Sequence, residues 1–346
     1  MSGMPATIRR LLNSDRDDIM EISRHIWDGH DYLLCVADKW LQDQNCHFYG
    51  VEVEGHVVAV GNLRLIEDGK TGWMEGLRVH PKHRGKGLAN EITQYLVRKA
   101  ERLGVQRLRY TTANRNRASL KLAKMAGFSK MVDMAVFWHL NPEQLPSIKS
   151  YPRIEKSNPT RVYSLLLANP TIVPDGVLFY DWKASDVSFQ NLEEIGKTHE
   201  FDIALRRRKL DSLSFGYPRP QPEQTWWSFT IYAADSDGFL SQLSHNLKRT
   251  SELGFKPIVC AFETRFEKEL KEVPWISKEH WRTRLVLLEK QIHEPIGKDG
   301  KSRTGKPGKR KSRLARDVNL PGCRLPDISY EPPDPPMKSK NEGLME

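Results

Sequence analysis

The chain has 346 residues, enough for about two domains, and with 38% hydrophobic and 28% charged residues it is too apolar overall for wholesale disorder. Its formal net charge of +10 is unevenly placed, since residues 298–316 carry +8 and residues 317–346 carry −3, which leaves +5 for residues 1–297. There is no apolar run of transmembrane length, no apolar core of a secretory signal in MSGMPATIRRLL, and no metal spacing among Cys35, Cys46, Cys260 and Cys323; the expectation is a reduced intracellular setting without structural metal.

Taken in chain order, Ala6–Leu12 reads as a short strand. Asn13-Ser14-Asp15 then offers a helix cap ahead of apolar residues at Ile19, Ile22 and Ile26. A loop through Trp27–Tyr32 leads to a second helical piece ending near Trp40-Leu41. Phe48–Val53, Val57–Ile66 and Gly72–Val79 are predicted as successive antiparallel strands, joined by turn residues at Glu54-Gly55 and Glu67–Lys70. Apolar positions 88, 92, 95, 96, 100 and 103 keep the helical period, and Gly104 ends that helix. Arg107–Ala113 is a strand, Ala118–Ala126 a helix closed by Gly127, and Ser129–Leu140 a strand.

Residues 141–160, rich in Pro, Ser and Lys, read as a connector, with 146–160 as the linker proper between a first domain (1–145) and a second (161–293). In the second region Trp227–Ala233, Gly238–Leu253 and Ile258–Glu263 form a strand–helix–strand series, with another strand at Arg284–Glu289. That order echoes residues 73–113, which predicts a divergent internal copy. From residue 294 on, Gly, Pro and charge dominate, and the segment 294–346 reads as a disordered basic and Pro-rich tail.

The stretch most informative about chemistry runs from Trp73 to Ala89: a strand, a Gly-rich turn, and the start of an amphipathic helix. Such a turn aims backbone N–H groups and the positive end of a helix dipole at one point, where Gly85 and Gly87 let an anion come close and Arg84 and Lys86 add charge. The ligand group predicted is a phosphate or pyrophosphate. Leu88 after Gly87 breaks the Walker pattern, and Asn90 breaks the dinucleotide G-x-G-x-x-G pattern.

Arg84-Gly85-Lys86-Gly87-Leu88-Ala89 closely resembles the acetyl-CoA pyrophosphate loop of the GNAT acetyltransferase superfamily. The segment from Asn116 to Gly127-Phe128 is similar to that family's second signature, an Asn followed by a helix ending in Gly-Phe. Asp31-Tyr32-Leu33, Trp40–Asp43, Glu67-Asp68-Gly69 and Glu75–Ala89 further resemble the N-terminal half of histidine N-acetyltransferases. The resemblance implies an α/β (α+β) GNAT fold, with a central mixed, mostly antiparallel sheet flanked by helices and followed by a divergent GNAT-like α/β domain. It also implies acetyl-CoA as cosubstrate, no metal, and a free amino acid such as L-histidine as acceptor.

On this sequence the resemblance assigns the pantetheine arm to the backbone of Leu77, Arg78 and Val79, and the pyrophosphate to Arg84, Gly85, Lys86, Gly87, Leu88 and Ala89. Asn116 would hydrogen-bond the cofactor, with Asn114 as the residue it could be confused with. An amine is mostly protonated at neutral pH, so a base is needed, and Glu75 is the candidate; a salt-bridged strand residue is its plainer reading. Asp31 and Tyr32 are candidates for binding the acceptor, against a helix cap and a core aromatic, and Arg78 either touches ligand or pairs with an acid. Seven residues after Asn116, where the family often has a Tyr that protonates the leaving thiolate, stands Ala123; Tyr110 and Tyr95 are possible substitutes.

Three functions compete: acetyl transfer to a free amino acid, acetyl transfer to a protein or peptide, and acyl-CoA binding without catalysis. The partner expected is a small-molecule amine, with no membrane. The basic tail lacks interleaved aromatics, so nucleic acid would be bound weakly and without sequence preference. The expected location is cytoplasmic, with nuclear import through Lys309-Arg310-Lys311 as the alternative.

Overall fold

The computed structural model describes residues 6–24, 26, 31–145, 153–220, 224–271, 273, 275–276 and 283–292. The tail from residue 294, Trp27–His30 and residues 146–152 of the linker lie outside the described residues. The first half runs β1 (Thr7–Arg10), α1 (Arg16–Arg24), α2 (Leu33–Gln42), β2 (Cys46–Val53), β3 (His56–Ile66), β4 (Thr71–Val79), α3 (Leu88–Leu103), β5 (Arg107–Ala113), α4 (Arg117–Met125) and β6 (Ser129–His139). The second half runs β7 (Ile154–Ser157), α5 (Pro159–Ala168), β8 (Val177–Tyr180), β9 (Lys183–Asp186), α6 (Phe189–Gly196), β10 (Glu200–Arg206), β11 (Lys209–Pro220), β12 (Thr225–Ala233), α7 (Ser236–Glu252), β13 (Ile258–Glu263), α8 (Glu267–Leu270) and β14 (Thr283–Gln291). Among the described residues no helix is long and apolar enough to cross a membrane.

Helix α3 forms where the apolar period says it should. Leu88, Ile92, Leu96 and Ala100 are buried on one stripe, and Gly104 in the left-handed region (φ 72°) closes it by donating its N–H to the carbonyls of Ala100 and Glu101. The α3 stripe packs on β3, where a side chain at Gly61 would come within 3.2 Å of Leu96. In the second half β10, β11, β12, α7 and β13 repeat the order of β2, β3, β4, α3 and β5.

Twelve strands form one sheet, in the order β1-β2-β3-β4-β5-β14-β6-β13-β12-β11-β10-β7. The middle of that order shows an exchange. β14, the last described strand of the second half, runs antiparallel to β5 (Leu285 opposite Ala113) and to β6 (Leu285 opposite Met134). β6 of the first half in turn pairs with β13 (Ile258 opposite His139). Each half therefore places one strand against the other half's sheet. α3, α4 and α7 cover one face, and α1, α2, α5, α6 and the β8–β9 hairpin cover the other.

Two expectations change. Residues 154–160 are not linker: Ile154–Ser157 is a strand on β10, and Asn158 caps α5 by accepting from the Arg161 N–H at 2.9 Å. β7 has a neighbour on one side only and carries Glu155 and Lys156, the polar character of an edge strand that gives no apolar period. The strand read at Arg284–Glu289 belongs inside the sheet of the first half, so regions 1–145 and 161–293 do not form separate sheets.

Candidate active site

β4 and β5 are parallel neighbours only at Thr71–Arg107, Gly72–Leu108 and Trp73–Arg109. Beyond Trp73 the two strands part, and Met74–Val79 pair with β3 alone. β4 thus presents an unpaired edge of N–H and C=O groups on that side. Its register against β3 shifts between Val60 and Asn62, at the point where Gly76 takes φ +69°. Glycine is required there twice over, since a Cβ would also lie 2.6 Å from the Trp40 ring.

The free edge of β4 leads to a 3-10 turn at Pro81–His83 and then to the N-terminus of α3. Gly87 is the N-cap residue, at φ +87°, and no side chain caps the helix. Arg84, Gly85, Lys86 and Gly87 are exposed, a Cβ at Gly85 would meet nothing within 4 Å, and one at Gly87 would meet only Glu91 Oε1, at 3.9 Å. The first-turn N–H groups of α3, two open glycines and two exposed cations therefore lie together on one turn. Leu88 is buried and anchors the turn, and Ala89 is half-buried behind it. Arg84 also donates from Nε to the Val79 carbonyl at 3.2 Å, tying the turn to the end of β4.

On the α1–α2 face, Glu75 Oε1 accepts from Asn62 Nδ2 at 3.0 Å and from Arg64 Nε at 2.9 Å. Among the described residues no protein donor reaches Glu75 Oε2, and the buried Oδ1 of Asn62 has no partner. Asn62 and Arg64 were not among the residues singled out from sequence. A polar Asn buried in the run VVAVGNLRLI was the available signal. Cys46 lies in the same group, and burial, opposed by Arg64, pushes its thiol up to about 11.

Asp31 and Arg78, assigned from sequence to acceptor and cofactor, are brought onto each other. Arg78 donates from Nε and Nη2 to the two Asp31 oxygens, each at 2.9 Å, and from Nη1 to the Leu77 carbonyl. The Arg78 guanidinium also stands 5.2 Å from the Tyr32 ring centre. Burial pushes the Tyr32 hydroxyl up to about 12. Of the two readings of the Arg78 side chain, the structure displays the pairing with an acid.

Asn116 is exposed and caps α4, its Oδ1 accepting from the Ser119 N–H at 3.0 Å. Asn114 is used differently: it exchanges hydrogen bonds with the Arg284 backbone through its N–H and its side-chain oxygen, and so ties β5 to β14. Ala123 is buried. Tyr110, one of the two candidate substitutes, donates from its hydroxyl to the Ser119 carbonyl at 3.2 Å, one turn before Ala123. The other, Tyr95, packs edge-on against Tyr49. No group of three or more His, Cys, Asp or Glu among the described residues is placed to hold a metal ion.

The second half does not repeat this geometry. β12 and β13 stay paired over Trp227–Ile231 and Ile258–Phe262, leaving no comparable parting of strands. The N-cap of α7 is Asp235, whose carboxylate accepts from the Gly238 N–H at 2.9 Å and pairs with Arg206 at 2.7 Å. An acid at that helix N-terminus both occupies the donors and repels a phosphate. Among the described residues, the open glycine turn at a helix N-terminus is found in the first half.

The parted strands, the bulge at Gly76 and the open turn before α3 lie together at one end of β4 on an α/β sheet. Residues 13–128 match the family model described as "Acetyltransferase (GNAT) family", and this part of the chain is a GNAT acetyltransferase domain. Histidine N-acetyltransferase of Oreochromis niloticus is 41% identical over 81 residues, which are 23% of this chain and 24% of that protein. The match therefore spans about a quarter of that relative's length. The human protein named "Probable N-acetyltransferase 16" is 26% identical over 257 residues, covering 67% of this chain and 69% of that one. Two solved GCN5-related N-acetyltransferases share the fold: the one from Sphaerobacter thermophilus at TM-score 0.54 and 13% identity, over 83% of this chain and 96% of that one, and the one from Anabaena variabilis at TM-score 0.51 and 10% identity, over 84% and 73%.

Proposed function

We propose that the protein is an acetyl-CoA-dependent N-acetyltransferase that acetylates the amino group of a free amino acid, with L-histidine as the favoured acceptor. The observation that carries this reading is the unpaired edge of β4, which runs from Glu75 to the open glycine turn at the N-terminus of α3. Acetyl-CoA supplies an activated acyl group on a thiol leaving group. The backbone of Leu77, Arg78 and Val79 would align its arm as an added strand, and an amide there would donate to the thioester carbonyl oxygen. Residues Arg84 to Ala89 would hold the pyrophosphate, with the Asn116 amide on its other side.

Glu75 takes a proton from the acceptor's ammonium group, directly or through one water at Oε2. The freed nitrogen attacks the carbonyl carbon, the C–N bond forms, and the C–S bond breaks. The thiolate is a fair leaving group and takes its proton from water or from the product ammonium, since Ala123 offers none. Direct transfer also fits Cys46, whose raised thiol is a poor nucleophile at neutral pH. L-histidine is favoured on the name of the relative that is 41% identical over 81 residues.

The buried Ala123 favours one other reading, acyl-CoA binding without turnover. A thiol-release assay with acetyl-CoA and a panel of free amino acids, amines and peptides separates them. Release with L-histidine supports transfer to an amino acid; release with peptides alone assigns a peptide acceptor. Tight CoA binding with no release from any amine would leave the binding reading standing.

A further inference from the structure

Against Arg64, the residue that donates to Glu75, lies a cavity of about 380 Å³, within the usual range for small-molecule sites. Both halves of the chain build it. Asp43 and Arg64 come from the α2–β2 connection and β3, and Ser185, Asn191 and Glu194 come from β9 and α6. Arg64 is the shared wall: its Nε is on Glu75 Oε1 at 2.9 Å and its Nη1 stands 3.9 Å from Asp43 Oδ2. Glu75 does not line the cavity itself, and Arg64 is the residue that joins the two.

Two observations bear on what the cavity would hold. Among the described residues the Arg64 Nη groups make no hydrogen bond, so a half-buried guanidinium has donors left beside the proposed reaction centre. The Ser185 hydroxyl is buried in the wall beside the Tyr180 hydroxyl, with hydrogen-bonding capacity left for a ligand. The acids divide. Glu67 faces Arg107 at 2.6 Å and Glu194 faces Lys197, whereas Asp43 has only the Asn45 N–H at 2.9 Å, the Cys46 thiol at 3.6 Å and the more distant Arg64. Asp43 is the carboxylate with acceptor capacity to spare.

We infer that this cavity between the halves is the acceptor's side-chain subsite, with Arg64 taking the acceptor's carboxylate, and Asp43 and Ser185 taking a cationic, hydrogen-bond-donating side chain. The substrate class is then the basic amino acids, and the second half acts as the wall that sets specificity. This rests on the acetyltransferase reading of Glu75. A peptide's N-terminal residue has no free carboxylate and would lose the contact with Arg64.

The test is kcat/KM by thiol release at saturating acetyl-CoA for histidine, lysine, arginine and ornithine against glutamine, leucine and glutamate. Basic acceptors should exceed neutral ones by roughly ten-fold or more, the effect of one charge-assisted hydrogen bond. Asp43→Asn should erase most of that preference, because a neutral amide attracts a cationic side chain little more than a neutral one. Ser185→Ala should raise KM for the amino acid and not for acetyl-CoA. Equal rates across the panel, or a Ser185→Ala enzyme with unchanged acceptor KM, would overturn the subsite. No thiol release with any amine would instead overturn the acetyltransferase reading itself.

Discussion

Asp31 and Arg78 hold each other across 47 positions of sequence, through two 2.9 Å hydrogen bonds to a carboxylate that is fully buried. The pair pins the entry of α2 to the far end of β4, and the Tyr32 ring lies against the same guanidinium. Removing one partner strands a buried charge. Asp31→Ala should therefore cost about 3–5 kcal/mol of stability in urea unfolding. Arg78→Lys should recover little of what Arg78→Ala loses, because an ammonium cannot reach both oxygens in parallel.

Substitution at two glycines of the site should fall on different properties, stability at Gly76 and cofactor binding at Gly87. Gly76→Ala forces a Cβ to within 2.6 Å of Trp40 at φ +69°, so it should lower the melting temperature clearly, with overpacking alone worth about 1–3 kcal/mol. At Gly87 a new Cβ would touch only Glu91 Oε1 at 3.9 Å. The cost to the fold there is the φ of +87°, about 1–2 kcal/mol, and the larger effect should fall on the cofactor. Calorimetric titration with CoA checks this: Gly87→Val should weaken binding well beyond its effect on stability.

Glu75→Gln keeps the shape of the side chain and removes the proton acceptor. The expected result is a fall in kcat of roughly 100- to 10,000-fold with CoA affinity unchanged. The variant's rate should climb more steeply than the wild type's as pH rises, because it depends on amine that is already deprotonated in solution. A rate equal to wild type across the profile would assign the base elsewhere.

Much of the first half was legible in the residues. The α3 period and its closing Gly104 needed only local information, and so did β5 and the turn at Gly85–Gly87. The partner of β14 was not legible, since nothing in the run Thr283–Gln291 says it will lie between β5 and β6. Arg109 has the same difficulty: a cation in a strand reads as a surface residue, yet it is 1% exposed, paired with Asp186 77 positions away and Glu289 180 positions away. The Asn62–Glu75 contact spans 13 positions and follows from the β3–β4 register, which the bulge at Gly76 shifts. A site built at a bulge is hidden from simple alternation, because alternation is what the bulge breaks.

The link between halves has a pH signature. Burial alone would raise the Glu67 carboxyl, but hydrogen bonds from Thr71, Arg107 and the Asp186 N–H outweigh it and bring it down to about 2, from 4.5. A folded-state value below the unfolded one means stability that is present above pH 4.5 and lost as pH falls toward about 2. Urea midpoints measured from pH 6 downward should fall more steeply for the wild type than for Glu67→Gln. The two curves should converge near pH 2.

The exchange of strands makes a stronger demand on the chain. β14 supplies seven pairings to β5 and seven to β6, and it sends Val286 and Leu288 into the core under α3. A fragment of residues 1–145 keeps every residue proposed to hold acetyl-CoA, yet it loses those two side chains, each worth about 1.5–3 kcal/mol buried, and leaves facing edges of β5 and β6 without a strand between them. That fragment should be unfolded or aggregated by circular dichroism and gel filtration. Co-expression with residues 146–346 should restore a folded, CoA-binding complex, because the missing strand is then supplied in trans. A monomeric, cooperatively folding 1–145 fragment would mean that β6 can move one place to pair with β5 directly, and that the second half is an addition to a complete domain.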